Sequence, residues 1–259
     1  MLKVENIYKS FGGVKAAQGC SFGVKPNLIT ALIGPNGAGK STVFNLISGI
    51  VKPDAGKIIF KAGKQVSNKL VSNEGINIIG KSPEIISNLG MSRLFQKSRL
   101  FNNLTVKENL LLAIDNEDTK FWFAFVKTSA NKRNKFEGRI KEILKLVEME
   151  NFENYTSRDL SFGQKRLVEL ARAILNPHTF LMLDEPVAGV NPKLREVIAK
   201  ILLDLKAKQE TILLIEHDMN FTFSVADWII VMQEGRVLVE GAPADIKNNP
   251  KVLEAYLGE

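Results

Sequence analysis

Short apolar runs recur along this chain, separated by stretches whose apolar residues fall at helical spacing. Leu28-Ile29-Thr30-Ala31-Leu32-Ile33, Phe180-Leu181-Met182-Leu183, Ile212 to Ile215 and Trp228 to Met232 are each too short for an ordinary helix and read as buried strands. Between them, Lys40 to Ile50 places Val43, Leu46 and Ile47 on one helical face, with Gly49 near the stop. Ser161 and Gln164 have capping-box spacing and open a helix through Leu175, ended by Asn176-Pro177. Asn191-Pro192 caps another to about Lys208, with Leu194, Val197, Ile198, Ile201, Leu202 and Leu205 toward the core. Strands alternating with helices imply an α/β fold, a mostly parallel sheet covered on both faces.

The flanks differ. Leu2 to Ile7, Gly19 to Lys25 and Lys57 to Phe60 read as strands. Tyr8-Lys9-Ser10-Phe11-Gly12-Gly13 reads as a polar loop with two aromatics, and Pro26-Asn27 and Pro53-Asp54-Ala55-Gly56 as turns. Short connections make these strands antiparallel. Residues 61–80 are polar and irregular and receive no assignment. Pro83 to Leu89 is a predicted short helix entered from Ser82, Met91 to Phe101 a strand and loop, and Thr105 to Ile114 a helix boxed by Glu108. The aromatic patch Phe121-Trp122-Phe123-Ala124-Phe125 then precedes a basic stretch from Lys127 to Lys145. There Ile140, Ile143 and Leu144, with Val147 just beyond, recur at helical spacing. Residues 97–160 therefore read as a helical insertion in an α/β domain. Glu234-Gly235 turns into a strand from Arg236 to Val239, and Asn249 caps a last helix, Pro250 to Leu257.

At 259 residues the chain can bury a full core as one domain, with or without a subdomain. No apolar run approaches the roughly 18 residues of a membrane helix, and Met1 to Glu5 has no signal-peptide pattern. A lone Cys20 excludes an internal disulfide and suits a reducing cytosol. The net charge of +7 is compatible with nucleic acid, anionic lipid, a nucleotide or mere solubility, and does not discriminate.

Chemistry enters with Gly34-Pro35-Asn36-Gly37-Ala38-Gly39-Lys40-Ser41-Thr42, which matches the phosphate-loop pattern G-x-x-x-x-G-K-[ST] between a strand and a helix. Small residues let backbone N–H groups converge on phosphate oxygens, and the following helix directs its positive end at them. Lys40 would reach the β and γ phosphates, and the Ser41 hydroxyl would ligate Mg²⁺. Four fixed positions arise by accident in a chain this long roughly 1% of the time.

Asp184-Glu185 end a buried strand, where α/β sheets bind ligands. Asp184 suits Mg²⁺ held through water; Glu185 suits orienting or deprotonating the attacking water. His217 ends another strand and has the chemistry to bond a γ-phosphate; a satisfied structural histidine is the rival reading. Gln96, after Phe95, has a carbonyl oxygen to offer Mg²⁺, and its rival is an ordinary loop glutamine.

With Leu160-Ser161-Phe162-Gly163-Gln164, the chain resembles the nucleotide-binding subunits of ABC transporters nearly end to end. Those proteins carry, in order, a phosphate loop, a Q-loop glutamine, an L-S-G-G-Q signature, an Asp-Glu pair, a D-loop and a switch histidine. The matching positions are Lys40 with its loop, Gln96, Leu160 to Gln164, Asp184 with Glu185, Ala188 to Pro192, and His217; Phe11 falls where the family stacks an aromatic on adenine. The resemblance implies a P-loop core with an antiparallel β subdomain and a helical subdomain over about 97–160, with the core in 1–96 and 161–259. It also implies ATP and Mg²⁺ as cofactors, sandwiched between two such subunits. Ser161, Gly163 and Gln164 of one subunit would then complete the pocket of the other.

Two departures, Phe162 for Gly in the signature and Asn191 for Asp in the D-loop, also occur in the narrower group of branched-chain and hydrophobic amino-acid importers. Gly34 to Asn45, Arg99-Leu100-Phe101, Met182 to Pro192, Leu214 to Met219 and the ending Ala255-Tyr256-Leu257-Gly258-Glu259 resemble that group. The implied partners are two transmembrane permease subunits, a second ATP-binding subunit, identical or paralogous, and an extracytoplasmic solute-binding protein. The implied location is peripheral, on the cytoplasmic face of the cell membrane. The insertion would face the permeases, with Phe121 to Phe125 near that contact and the following basic residues, Lys132 and Arg133 among them, at lipid headgroups. A urea importer, a lipopolysaccharide exporter and a non-transport ATPase acting on nucleic acid or ribosomes are the alternatives. The last usually needs two such domains or a long coiled coil, and no nucleic-acid partner is expected.

Overall fold

The computed structural model describes residues 1–61, 75–96, 98–114 and 130–257. Ten strands and nine helices are assigned there: β1 (Leu2–Phe11), β2 (Val14–Val24), β3 (Ile29–Ile33), α1 (Lys40–Ile47), β4 (Ala55–Phe60), β5 (Ile76–Asn77), α2 (Pro83–Asn88), β6 (Met91–Leu94), α3 (Val106–Ile114), α4 (Ala130–Leu146), α5 (Phe162–Leu175), β7 (Phe180–Asp184), α6 (Pro192–Ala207), β8 (Thr211–Ile215), α7 (Met219–Val225), β9 (Trp228–Gln233), β10 (Arg236–Gly241), α8 (Pro243–Lys247) and α9 (Pro250–Leu257).

Six strands form one sheet in the order β10-β9-β3-β8-β7-β6, parallel except for β10 on β9. Period-two alternation sorts its side chains into two cores. Ile29, Ala31, Ile33, Leu181, Leu183, Ile212, Leu214, Ile229 and Val231 face α3 to α9. Leu32, Met182, Leu213, Ile215 and Ile230 face the other way, onto α1 and a second, antiparallel sheet ordered β2-β1-β4-β5. The uninterrupted apolar runs are thus buried on both faces, as a parallel sheet requires. On the insertion side, Ile140, Ile143, Leu144 and Val147 pack with Val106, Leu110 and the α5 residues Leu167 and Leu170.

Helix starts follow their side-chain caps. Ser161 Oγ accepts from Gln164 N at 3.3 Å while Ser161 N donates to Gln164 Oε1 at 2.9 Å, a closed capping box. Thr105 and Glu108 make the same reciprocal pair, and Ser82, Asn191 and Asn249 cap α2, α6 and α9. Asn191, the D-loop departure, therefore serves as an N-cap, a role Asn and Asp perform about equally well.

Three sequence expectations change. Tyr8 to Phe11 is not a loop but the end of β1, and β2 begins at Val14 rather than Gly19. Gly12 (φ 50°) and Gly13 (φ 91°) make the entire connection, a two-residue turn with both φ positive that matches the twist of a hairpin. β4 begins at Ala55, inside the expected turn. The short helices α7 and α8 were not anticipated; Asp218 caps α7 by accepting from Phe221 N. The patch Phe121 to Phe125 and most of the irregular stretch 61–80 lie outside the described residues.

Candidate active site

Strand register brings the chemistry to one edge of the large sheet. Asp184 pairs with Ile215, Ile215 with Leu32, and Leu94 with Leu183, so the residues after β6, β7, β8 and β3 all emerge together. Because β7 lies between β6 and β8, the residue after it is flanked by the residues after those two strands. Gln96 Nε2 accordingly donates to Glu185 Oε2 at 2.9 Å, and His217 Nε2 lies 2.9 Å from Glu185 Oε1.

Glu185 itself has φ 50°, uncommon for a residue with a Cβ and costing on the order of 1–3 kcal/mol unless its surroundings hold it. They do. Its N–H donates to Ile215 O at 3.0 Å, and its carbonyl accepts from Arg166 Nη2 at 2.7 Å. Arg166, buried on α5, also donates to the carbonyls of Asp184 (2.6 Å), Phe95 (2.8 Å) and Pro186 (3.3 Å) and pairs with Glu169. One guanidinium thus fastens the helix that follows the signature to the loops carrying Gln96 and Glu185.

Asp184 is 4% exposed, and its Oδ2 accepts from Arg93 Nη2 at 2.8 Å. The other Arg93 bonds reach Phe44 O, Asn45 Oδ1 and Ser48 Oγ at the end of α1. Burial pushes the Arg93 guanidinium below its usual pKa, with Asp184 opposing the shift. Phe95 lies between the guanidiniums of Arg93 (4.8 Å) and Arg99 (3.5 Å), which anchors the strand end that leads into Gln96.

The phosphate loop leaves β3 at Gly34 and enters α1 at Lys40. A Cβ on Gly34 would lie 2.1 Å from Met232 O, and one on Gly39 2.2 Å from Ala16 O, so neither position admits a side chain. Gly37 has φ 77° and open space within 4 Å, leaving room for a ligand at the loop's tip. The Lys40 ammonium donates to Gly34 O (2.6 Å) and Pro35 O (2.8 Å), inside the loop it is expected to serve. Behind the loop, Gly235 N donates to Ala38 O and Gln18 N to Gly235 O, so the β9–β10 turn and β2 brace it. Ser41 and Thr42 follow in the first turn of α1, with Ser41 exposed.

A hydroxyl (Ser41), an amide carbonyl (Gln96) and a carboxylate (Asp184) are hard oxygen donors suited to Mg²⁺. Among the described residues no three His, Cys, Asp or Glu side chains could cage a metal.

The structure brings Gln96, Asp184, Glu185 and His217 to one edge with the loop Gly34, Pro35, Asn36, Gly37, Ala38, Gly39 and Lys40. It gives Ser161, Gly163 and Gln164 other company: a Cβ on Gly163 would meet Leu194 of α6, and the Phe162 ring stacks on Gly189. Phe11, at the β1–β2 hairpin, is exposed with Lys9 Nζ 5.3 Å from its ring centre. Sequence reasoning missed Arg93 and Arg166. Their signal was a charged residue within a run of core positions, which must have a built partner.

Against known proteins, a family model described as ABC transporter matches residues 17–188, and one described as branched-chain amino acid ATP-binding cassette transporter matches 236–259. The high-affinity branched-chain amino acid transport ATP-binding protein BraF of Pseudomonas aeruginosa is 36% identical, covering 100% of this chain and 98% of its own. A probable branched-chain amino acid transport ATP-binding protein, LivG of Archaeoglobus fulgidus, is 35% identical over 100% and 95%. A crystal structure of a nucleotide-free ATP-binding cassette from an ABC transporter superposes with TM-score 0.82 at 35% identity, covering 100% and 99%. A dimeric post-hydrolysis cassette bound to ADP and Pi superposes at 0.77 with 25% identity over 94% and 99%.

Proposed function

The chain belongs to the ABC transporter family, and on that premise we propose that it hydrolyses ATP with Glu185 as general base to drive uptake of branched-chain or other hydrophobic amino acids. It is the ATP-binding, ATP-hydrolysing subunit of a transporter of this kind. The observation that carries the residue assignment is the bracketing of Glu185 by Gln96 and His217, each at 2.9 Å, at the edge where the phosphate loop emerges.

In this reading Gly34 to Thr42 bind the triphosphate, with Lys40 turning from its loop carbonyls to the β and γ oxygens. Mg²⁺ when bound supplies charge neutralisation on the phosphates, held by Ser41, Gln96 and Asp184. Glu185 takes a proton from the attacking water, and His217 bonds the γ-phosphate while fixing the carboxylate's direction. Phe11 stacks on adenine. Ser161, Gly163 and Gln164 act on the nucleotide of a second subunit. Support for that pairing comes from the dimeric relative bound to ADP and Pi. The helical segment over about 97–160 faces two permease subunits, and an extracytoplasmic binding protein selects the solute. No helix among the described residues is long and apolar enough to cross a membrane. In this reading the chain attaches to the cytoplasmic face through those permeases. The amino-acid assignment rests on the match over 236–259 and on the names of the full-length relatives.

Glu185→Gln keeps shape and removes the base. Turnover should fall by about 10²–10⁴-fold, the range of general-base catalysis, while ATP is still bound. Steady-state phosphate release at the unmodified rate would overturn the assignment. Reconstitution with co-purified permeases should give ATP-dependent uptake of radiolabelled leucine; uptake of urea or no import would redirect the solute reading.

A further inference from the structure

One buried carboxylate beside this site is unused by the mechanism. Glu216, between β8 and His217, is 2% exposed directly after the apolar Ile212 to Ile215. Its Oε1 accepts from Val187 N at 3.0 Å, two residues beyond Glu185. Its Oε2 accepts from His217 N at 3.1 Å, and the backbone N–H of Asp218 supplies a third bond.

Those donors belong to two different loops. Val187 is in the turn that begins at Glu185, closed by Ala188 N on Glu185 O. His217 and Asp218 are in the turn that presents the histidine. We infer that Glu216 is a positioning residue for hydrolysis: its carboxylate clasps the Glu185 turn to the His217 turn, holding base and histidine in register.

Geometry makes the clasp necessary. Glu185 sits at positive φ, a conformation that relaxes unless its surroundings over-determine it. Its own N–H on Ile215 O fixes the near end of the turn, and Val187 N on Glu216 fixes the far end. With the far end released, Ile215 O and Arg166 still hold the backbone at Glu185, but the residues after it lose their tie to the His217 turn, and the carboxylate's register with Gln96 and His217 loosens.

The groups facing Glu216 explain its charge behaviour. Glu185 lies on one side; His217 and Asp218 lie on its own segment, with Asp218 paired to Arg195 of α6. Arg166 spends its donors on the carbonyls of 184–186 and on Phe95 and Glu169 rather than on this carboxylate. Burial, opposed by the three N–H bonds and joined by repulsion from Glu185, pushes Glu216 up to about 7. Protonation removes an acceptor oxygen from a group that serves three donors, so the clasp is complete only when ionised.

The inference rests on Glu185 being the base, so the experiment carries Glu185→Gln in parallel on the full-length chain. Glu216→Gln keeps volume and one acceptor but turns an NH₂ toward a backbone N–H. The expected result is a kcat at least tenfold lower, KM for ATP within twofold of the parent, and loss of the ionisation near pH 7 from the kcat profile. Glu216→Asp, which keeps charge but not reach, should fall equally and keep a pH-dependent profile. A Glu216→Gln kcat within twofold of the parent, with a superimposable pH profile, would overturn the proposal. So would a kcat loss matched by weaker ATP binding and a lowered melting temperature, which is plain misfolding. Full activity in Glu185→Gln would instead overturn the base assignment itself.

Discussion

The Glu185 turn and the signature turn, proposed to meet at one nucleotide from two subunits, are built in opposite ways within the single chain. At the Glu185 edge, the side chains after the strands are tied to neighbouring strand ends, Gln96 and His217 on Glu185 and Arg93 on Asp184, while Lys40 is held by its own loop. The signature turn is closed on itself. Ser161 and Gln164 satisfy each other in a capping box, and Phe162 stands 61% exposed on the outer side of the D-loop glycine. A network cross-tied through three strands is pre-organised for chemistry, since its groups cannot wander without breaking bonds. A self-contained cap at a helix N-terminus needs no other strand end to hold it, and under the proposed function its positive end would meet a phosphate bound by another chain.

Arg166 joins the two regions, and breaking it gives the largest effect. Arg166→Ala would remove the arginine's bonds to the carbonyls of Asp184, Phe95 and Glu185, the last of which keeps Ala188 N, and leave Glu169 without its cation. The expected loss is about 3–5 kcal/mol of stability in denaturant unfolding. Turnover should vanish with it. A loss below about 1 kcal/mol would mean that the edge and the signature helix are held together elsewhere.

The next effect separates the regions by pH. Glu216 is raised from 4.5 to about 7, so between those values the folded state binds its proton more tightly than the unfolded state does. Its contribution is therefore fully present below pH 4.5 and is lost as pH rises through about 7. The expected loss over the full titration is on the order of 3 kcal/mol. Glu216→Gln should remove that slope from urea midpoints measured between pH 5 and 8. An unchanged slope would place the titration in another group; the signature turn, with no such carboxylate, should contribute none.

These regions were also unequally legible in the sequence. The capping box was readable because both partners lie three residues apart, and a local rule needs only local residues. The strands of the large sheet were readable because burial on both faces leaves uninterrupted apolar runs. Gln96, Glu185 and His217 could be named by their order along the chain, but that two of them bracket the third follows from β7 lying between β6 and β8. Strand order is a property of the whole fold. The partners that give Arg93 and Arg166 their roles at the site were illegible for the same reason: Asp184 lies 91 residues from Arg93, and the carbonyls of 184–186 lie 18–20 residues from Arg166. The β1 error had a local cause. A Gly-Gly pair makes a hairpin turn by itself, so the polar residues before it could remain strand.

The smallest expected change in stability is also the sharpest test of the comparison. Ser161→Ala removes one cap bond, which should cost about 1 kcal/mol of the isolated chain's stability. ATP binding to that chain should be unaffected, because the bonds that hold the phosphate loop come from Gly34, Pro35 and Gly235 rather than from the signature turn. In the Glu185→Gln background, where ATP is retained, the parent should associate with a second ATP-binding subunit when ATP is added, and the Ser161→Ala chain should not. Analytical ultracentrifugation with and without nucleotide measures both states. If Ser161→Ala weakened ATP binding to the single chain, the signature turn would belong to the same pocket as Lys40. If it left ATP-driven association intact, the turn would be an ordinary helix start. Loss of association with retained binding is what an outward half-site requires: Lys40 holds the nucleotide, and Ser161 meets a nucleotide held by another chain.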